Sequence, residues 1–311
     1  MTDPENELTH ATPDDETIEV RHVLIVANPE TGGFSESTLA KIEAEFVRNV
    51  LHFETRRSAR KGDIRQTVAA IGGAFDVVAV HGGDGSINEA VAGLRQIAGR
   101  RPALALIAGG TANVLALETG TGLASSQIAK DIMDGRTSPL HYGLANGQPF
   151  VLMASAGFDA AIVHRIPRCL KAALGEWAYI AAAIAQKRRA RTPDLLVTIA
   201  GRTIVCRIAI CANASRYGGD FIIAPETHAT RPGLQLVLVK DDSLLGLLRI
   251  GWRLLAGRSL EGAGVQTLGA DEIEIAAVAP APVQLDGDPF GTTPLHATIA
   301  PAPLRLIKAK R

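Results

Sequence analysis

The chain has 311 residues, 47% of them hydrophobic, with 32 basic and 32 acidic side chains and no formal net charge. That length allows two ordinary domains, each with its own core. Balanced charge with only 4% aromatic residues removes the electrostatic and base-stacking case for a nucleic-acid partner.

No apolar run reaches the length of a membrane span, and the N-terminus is acidic where a secretory leader would be basic. Cys169, Cys206 and Cys211 form no CxxC pair and leave one thiol over in any disulfide scheme, which fits a reducing cytoplasm. Residues 1–19 carry Asp3, Glu5, Glu7, Asp14, Asp15, Glu16 and Glu19 with few large apolar residues, and read as a disordered acidic tail.

A strand over residues 22–27 leads through Asn28-Pro29-Glu30-Thr31-Gly32-Gly33 into a helix with Leu39, Ile42, Phe46 and Val47 at helical spacing. A second strand, residues 50–55, runs into the basic loop Arg56-Arg57-Ser58-Ala59-Arg60-Lys61-Gly62, and a helix follows over residues 63–71. A charge run on a loop is usually a solvated one, and these basic residues are read that way.

The apolar run at residues 77–80 then enters Gly82-Gly83-Asp84-Gly85-Ser86 and a helix with Ile87, Ala90, Val91 and Leu94 on one face. A fourth strand, residues 104–108, meets Gly109-Gly110-Thr111-Ala112-Asn113 and another helix. Strand, loop and helix thus repeat four times, the pattern of a parallel sheet covered by helices.

In such a sheet the strand-to-helix loops emerge together at the strands' carboxyl edge. Glycine removes the Cβ between ligand and backbone and opens dihedrals closed to other residues, and a helix N-terminus directs N–H groups at an anion. The converging inventory holds glycine donors, the hydroxyls of Thr31, Ser86 and Thr111, the amides of Asn28 and Asn113, and the carboxylate of Asp84. It suits a nucleotide polyphosphate, with Asp84 holding a magnesium ion because a carboxylate repels phosphate. Ser86-x-x-Glu89 reads as a capping box, which places Glu89 at a helix end rather than in catalysis. There is no GxxxxGK[ST], and no GxGxxG follows the first strand.

From residue 150 onward, short runs at 195–200, 203–212, 234–239, 272–277, 283–285 and 295–299 are separated by Gly, Pro and Asp clusters, as in an antiparallel sandwich. Two helices interrupt it, near 170–187 and 243–255. The first ends in Lys187-Arg188-Arg189-Ala190-Arg191 and the second sets Arg249, Trp252 and Arg253 among leucines, a composition that serves either an anionic membrane surface or a helix dipole and core. Asp286 and Asp288 alternate around Gly287, either as two carboxylates on one face of a strand end or as a tight Asp-Gly turn. The eight histidines show no metal spacing, and His81 reads as a packed residue.

The motifs after strands one, three and four resemble, in order and spacing, those of the diacylglycerol kinase catalytic family, which includes bacterial lipid kinases, sphingosine kinases and ceramide kinases. Gly157-Phe158-Asp159-Ala160, Asn213-Ala214-Ser215-Arg216-Tyr217-Gly218-Gly219 and Asp286-Gly287-Asp288 resemble its GFDA, N-x-x-x-x-GG and DGE segments. The resemblance implies an α/β N-terminal nucleotide-binding domain like that of NAD kinase and phosphofructokinase, over residues 20–142. A C-terminal antiparallel β-sandwich for the lipid follows over 143–311, its last residues packing back on the first domain.

The resemblance also implies an ATP- and Mg2+-dependent kinase acting on the primary hydroxyl of a membrane lipid, diacylglycerol or a sphingoid lipid, in the cleft between the domains. Asn28, Pro29, Thr31, Gly32, Thr55, Gly82, Gly83, Asp84, Gly85, Ser86, Gly110, Thr111 and Asn113 would meet the nucleotide, Asp84 and Asp286 the metal, and Asp288 the hydroxyl proton. Asp159 is either a headgroup anchor or a helix cap. Work at the inner face of the membrane from the cytoplasm is implied, with a homodimer left open. Three departures stand out: Asp288 replaces the family glutamate, Pro232-Gly233 stands where members hold a structural magnesium with Asp-Gly, and Val114 stands where diacylglycerol kinases carry aspartate. A soluble NAD-kinase-like metabolite kinase and a non-catalytic nucleotide- or lipid-binding module are the alternatives.

Overall fold

The computed structural model describes residues 16–163, 193–262 and 264–309. The expected helix over 170–187, the basic run at 187–191 and Cys169 lie outside these residues, as does the tail up to residue 15.

A seven-stranded sheet has the order Glu16–Thr17, Arg136–Leu140, Leu304–Ile307, Ala103–Ala108, Val77–Gly82, His22–Ala27, His52–Arg57. Its central strands are parallel. Their apolar runs are continuous because both faces are covered, and the period of two divides the side chains between two cores. Val23, Ile25, Val77, Ala79, Ala105 and Ile107 join Leu39, Ile42 and Phe46 of helix Glu36–Arg48 and Ile128 and Ile132 of helix Ser125–Asp134. Leu24, Val26, Val78, Val80, Leu104 and Leu106 join Ile64 and Val68 of helix Asp63–Ile71 and Val91 and Leu94 of helix Asp84–Leu94.

Three expectations shift here. The acidic tail ends early: Glu16–Thr17 pairs with Thr137 and Arg136 as an edge strand, and Ile18 is buried with its N–H on the Gly135 carbonyl at 2.9 Å. The second strand begins at His52 rather than Val50, because the preceding helix runs to Arg48 and the chain turns through Val50 at φ 56°. Arg56 and Arg57 therefore belong to that strand, paired with Glu54 and Glu36 on its exposed edge.

The second half packs two six-stranded sheets face to face. One has the order Arg202–Cys206, Leu195–Ile199, Glu272–Ala277, Leu295–Ile299, Gly143–Ala145, Gln148–Phe150. The other has the order Val265–Ala270, Leu234–Val239, Ile208–Ala212, Met153–Gly157, Pro282–Leu285, Asp288–Thr292. Ala154, Ala156, Ala209, Cys211, Leu236 and Leu238 fill the sandwich against Val197, Ile273, Ile275 and Leu295. The expected single strand over 203–212 is two, one in each sheet, and Arg207 marks the crossing with ion pairs to Asp194 at 2.6 Å and Asp242 at 3.3 Å. Cys206 and Cys211 are free and buried, and burial pushes both thiols up to about 12.

Besides a core of its own, each half shares a further apolar cluster with the other. Met153, Ile208, Ile210, Val237 and Val239, on the outer face of the second sheet, belong to the same apolar cluster as Leu24, Val80 and Leu104 of the first half. Strand Leu304–Ile307 lies between Ala103–Ala108 and Arg136–Leu140 in the first sheet, so the chain crosses between the halves at both ends of the sandwich. Helix Leu244–Leu255 is capped by Ser243, whose Oγ accepts the Gly246 N–H at 3.1 Å. Among the described residues no helix is long and apolar enough to cross a membrane.

Candidate functional site

The parallel register brings the loops after His22–Ala27, Val77–Gly82 and Ala103–Ala108 to one edge, where they touch backbone to backbone. The N–H of Asn28 donates to the His81 carbonyl, that of Gly109 to Gly82, and that of Gly33 to Gly109, at 2.9, 2.9 and 3.1 Å. A Cβ on Gly110 would stand 2.5 Å from the Gly83 Cα, and one on Gly33 would stand 2.7 Å from the Gly110 carbonyl oxygen. Gly82, Gly83 and Gly85 take no positive φ, so the expected need for unusual dihedrals is absent there. Close approach is what requires glycine at Gly83 and Gly110. Gly85 faces open space instead.

Several polar side chains expected to meet phosphate hold these loops together. The Asp84 carboxylate accepts the N–H groups of Val114 and Leu115, both at 3.0 Å, and so caps helix Val114–Thr119. Asn113, at φ 48°, closes a ring with Gly110, accepting its N–H at 2.7 Å and donating to its carbonyl at 2.9 Å. The Asn28 amide donates to Ser86 Oγ at 3.0 Å, and Thr31 Oγ1 donates to the Asn28 carbonyl at 2.9 Å. Pro29, Gly32 and Thr111 are exposed at the mouth. Thr55 sits within strand His52–Arg57 and donates to Glu43 of the covering helix at 2.7 Å.

Across from this edge, Asp286-Gly287 is a two-residue hairpin turn with φ of 47° and 83°, joining Pro282–Leu285 to Asp288–Thr292. Positive φ at both central residues is the type I′ signature. The one-face arrangement on a strand end is therefore corrected, and the two carboxylates have different surroundings. Asp286 accepts the N–H groups of Val151, Leu152 and Met153 at 2.8, 2.9 and 2.9 Å, and the Asn88 side-chain amide from the first half. Burial pushes its carboxyl up to about 6, against the pull of those four donors toward the ionised form. Asp288 is half exposed and pairs with Lys61 Nζ at 2.6 Å.

Lys61 thus leaves the set of solvated basic residues, whereas Arg60 stays on the surface with Asp63. Glu89 is no capping-box member either. The helix is capped by Gly83 with no side-chain bond, and Glu89 Oε1 accepts the Gly62 N–H at 2.9 Å, which fixes the Lys61 loop from below. Asn88 is absent from the sequence reading and Lys61 is read there only as solvated, because their partners are distant in sequence: 227 residues separate Lys61 from Asp288, and 198 separate Asn88 from Asp286.

These residues surround a cleft of about 280 Å³, with Lys61, Gly85, Asn88 and Glu89 on one wall and Asp286, Asp288 and Phe290 on the other. Asp159 is elsewhere and buried, its carboxylate accepting from Ser155 Oγ, the Tyr217 hydroxyl and, at 3.4 Å, the Gln284 amide. Burial raises its pKa. His81 lies under the loops, buried, with its ring centroid 4.7 Å from that of Phe34 and no partner for either nitrogen among the described residues. Among the described residues no group of three or more His, Cys, Asp or Glu side chains is arranged to hold a metal ion.

Comparison with known proteins agrees with this layout. The diacylglycerol kinase catalytic domain profile matches residues 22–145, and that of the YegS C-terminal NAD kinase beta sandwich-like domain matches residues 153–308. A diacylglycerol kinase of Bacillus subtilis is 26% identical over 88% of this chain and 92% of its own length. A Serratia proteamaculans protein named as a probable lipid kinase, YegS-like, is 30% identical over 72% of this chain and 75% of its own. A solved Bacillus anthracis structure shares the fold with a TM-score of 0.81 at 23% identity, covering 94% of this chain and 97% of that one.

Proposed function

The chain belongs to the diacylglycerol kinase and YegS-like lipid kinase family, and from that premise we propose that it transfers a phosphoryl group from ATP to the primary hydroxyl of a membrane lipid in the cleft between the two halves. The observation that carries this reading is that Gly85 of the glycine loop and Asp288 of the second sheet line one cleft. Phosphoryl transfer depends on positioning and on neutralising charge, and both need the nucleotide loop and the acceptor's base to face one space.

The loop edge fits a nucleotide polyphosphate: Gly85 faces open space beside the loops, and the first turn of helix Asp84–Leu94 presents N–H groups beyond those taken by the Gly83 carbonyl. A magnesium ion would be carried on the phosphates rather than in an all-protein cage, because both Asp84 oxygens already accept the N–H groups of Val114 and Leu115. Asp286 does not fit as a ligand, because four N–H donors occupy its oxygens. Bound Mg–ATP supplies the transferable group with its charge neutralised. Asp288 accepts the proton of the lipid hydroxyl, Lys61 holds Asp288 until the acceptor arrives, and Asp286 fixes the hairpin that presents it. The lipid is diacylglycerol or a sphingoid lipid, and the work is done at the cytoplasmic face of a membrane.

Incubation with labelled ATP, Mg2+ and diacylglycerol, sphingosine, ceramide or NAD tests the proposal. Label in a lipid product is expected; label in NAD, or ATP binding without any labelled product, overturns it. The loop geometry adds a second expectation. Gly110→Ala forces a Cβ against Gly83, and should raise the ATP dissociation constant at least about tenfold and cost about 1–3 kcal/mol of stability. Gly85→Ala meets no atom within 4 Å and should melt like the wild type. Calorimetric ATP titration and thermal melts of both variants check this contrast.

A further inference from the structure

We propose that helix Leu244–Leu255 is the surface by which the protein settles on an anionic lipid bilayer, with Leu244, Leu245, Leu248, Trp252 and Leu255 entering the headgroup region. Their exposures run from 44% to 80%, although all five are large and apolar. At about 100° per residue they fall within one arc roughly a quarter of the way around the helix. The opposite side is already satisfied, since Gly246 is buried and Leu247, Ile250 and Leu254 pack on the main core. The core therefore does not explain the second apolar face. A helix apolar on more than its buried side needs a further apolar environment.

The surroundings identify that environment by charge. The helix carries Arg249 and Arg253 and no acidic residue. Arg249 and Arg253 reach the carbonyls of Gly262 and Ser259 at 3.1 and 2.6 Å, and the Arg258 guanidinium lies 4.9 Å from the Trp252 ring centroid. The acidic groups before the helix are engaged, Asp242 with Arg207 and Asp241 with Ser243. Leucines and a tryptophan rimmed by arginines match the boundary between acyl chains and anionic headgroups.

The position suits a route to the site. The helix adjoins strand Phe221–Ile222, where Ile222 is half exposed, and the strand paired with it carries Tyr217, whose hydroxyl donates to Asp159. This inference rests on the lipid-kinase reading for its choice of a bilayer over other apolar partners.

The test is co-sedimentation, without ATP, with vesicles of phosphatidylcholine alone or with phosphatidylglycerol. Wild type should bind the anionic vesicles and bind phosphatidylcholine more weakly. Leu245→Asp combined with Leu248→Asp should reduce binding at least tenfold with an unchanged melting temperature. Trp252 emission should shift to the blue on anionic vesicles, a change absent in Trp252→Phe. Equal vesicle binding by variant and wild type overturns the proposal. So does a wild-type dimer that the double variant converts to monomer in light scattering, because the face would then belong to a second copy of the chain. Assay on a water-soluble short-chain diacylglycerol separates the two readings. Activity retained there but lost on vesicles supports docking, whereas vesicle binding without phosphorylation of any lipid leaves docking standing and removes the kinase reading.

Discussion

Asp288→Asn is expected to lower turnover on the lipid acceptor by about 10²–10⁴-fold, the usual contribution of a positioned base, while ATP affinity stays within a few-fold of wild type. Three other carboxylates near the glycine loops accept N–H groups, although Glu89 Oε2 is buried without a partner among the described residues. Asp84 caps helix Val114–Thr119, Glu89 holds the Gly62 N–H, and Asp286 is held by four donors. Asp288 is restrained by a half-exposed ion pair with Lys61, a contact of the kind worth at most about 1 kcal/mol. An incoming hydroxyl can displace such a partner. Lys61→Met therefore separates two explanations. It removes the pair and keeps the carboxylate, so it should cost far less turnover than Asp288→Asn. Asp288→Glu, which restores the family's longer reach, should stay within about tenfold of wild type if proton acceptance is the role. Steady-state kinetics on the acceptor identified by labelling reads all three; full turnover in Asp288→Asn would remove Asp288 from the reaction.

The parts legible in the sequence were those with a local period. Helix Asp63–Ile71 and strands Leu234–Val239, Glu272–Ala277 and Leu295–Ile299 lie at their expected bounds, because apolar spacing and flanking Gly, Pro and Asp mark them. The glycine loops were legible as a group for a topological reason, since parallel strands put their following loops at one edge. Strand Met153–Gly157 was not, because its small residues carry little β propensity and its place is set by neighbours on both sides, Ile208–Ala212 and Pro282–Leu285. The roles of the polar residues were the least legible. Asp84 and Asn113 carry the composition of a phosphate site, yet their chemistry suits loop closure equally well, and only the fold decides which N–H groups they meet. The same limit applies to Asp286: an Asp-Gly pair announces a turn, but not the three successive N–H groups of Val151, Leu152 and Met153 waiting behind it.

Removing that carboxylate should produce the largest stability change in the molecule. Asp286→Ala leaves the N–H groups of Val151, Leu152 and Met153 and the Asn88 amide without their acceptor, and the expected loss is about 3–5 kcal/mol, or roughly 10 °C in melting temperature. Because Asn88 belongs to the first half and the hairpin to the second, hydrogen exchange should quicken on both sides of the cleft. Asp286→Asn keeps the shape and one accepting oxygen but cannot titrate, which exposes the pH dependence of the wild type. Burial raises the native carboxyl from 3.8 to about 6, so between those values the native state holds a proton that the unfolded chain has released. The stability contributed by protonated Asp286 is then fully present below pH 4 and is lost as pH rises through 6, an effect of up to about 3 kcal/mol. Subtracting the Asp286→Asn curve removes the titrations common to both proteins. If the difference in unfolding free energy between wild type and Asp286→Asn is flat from pH 4 to 7, the carboxylate is ionised throughout, and the four donors outweigh burial at this turn.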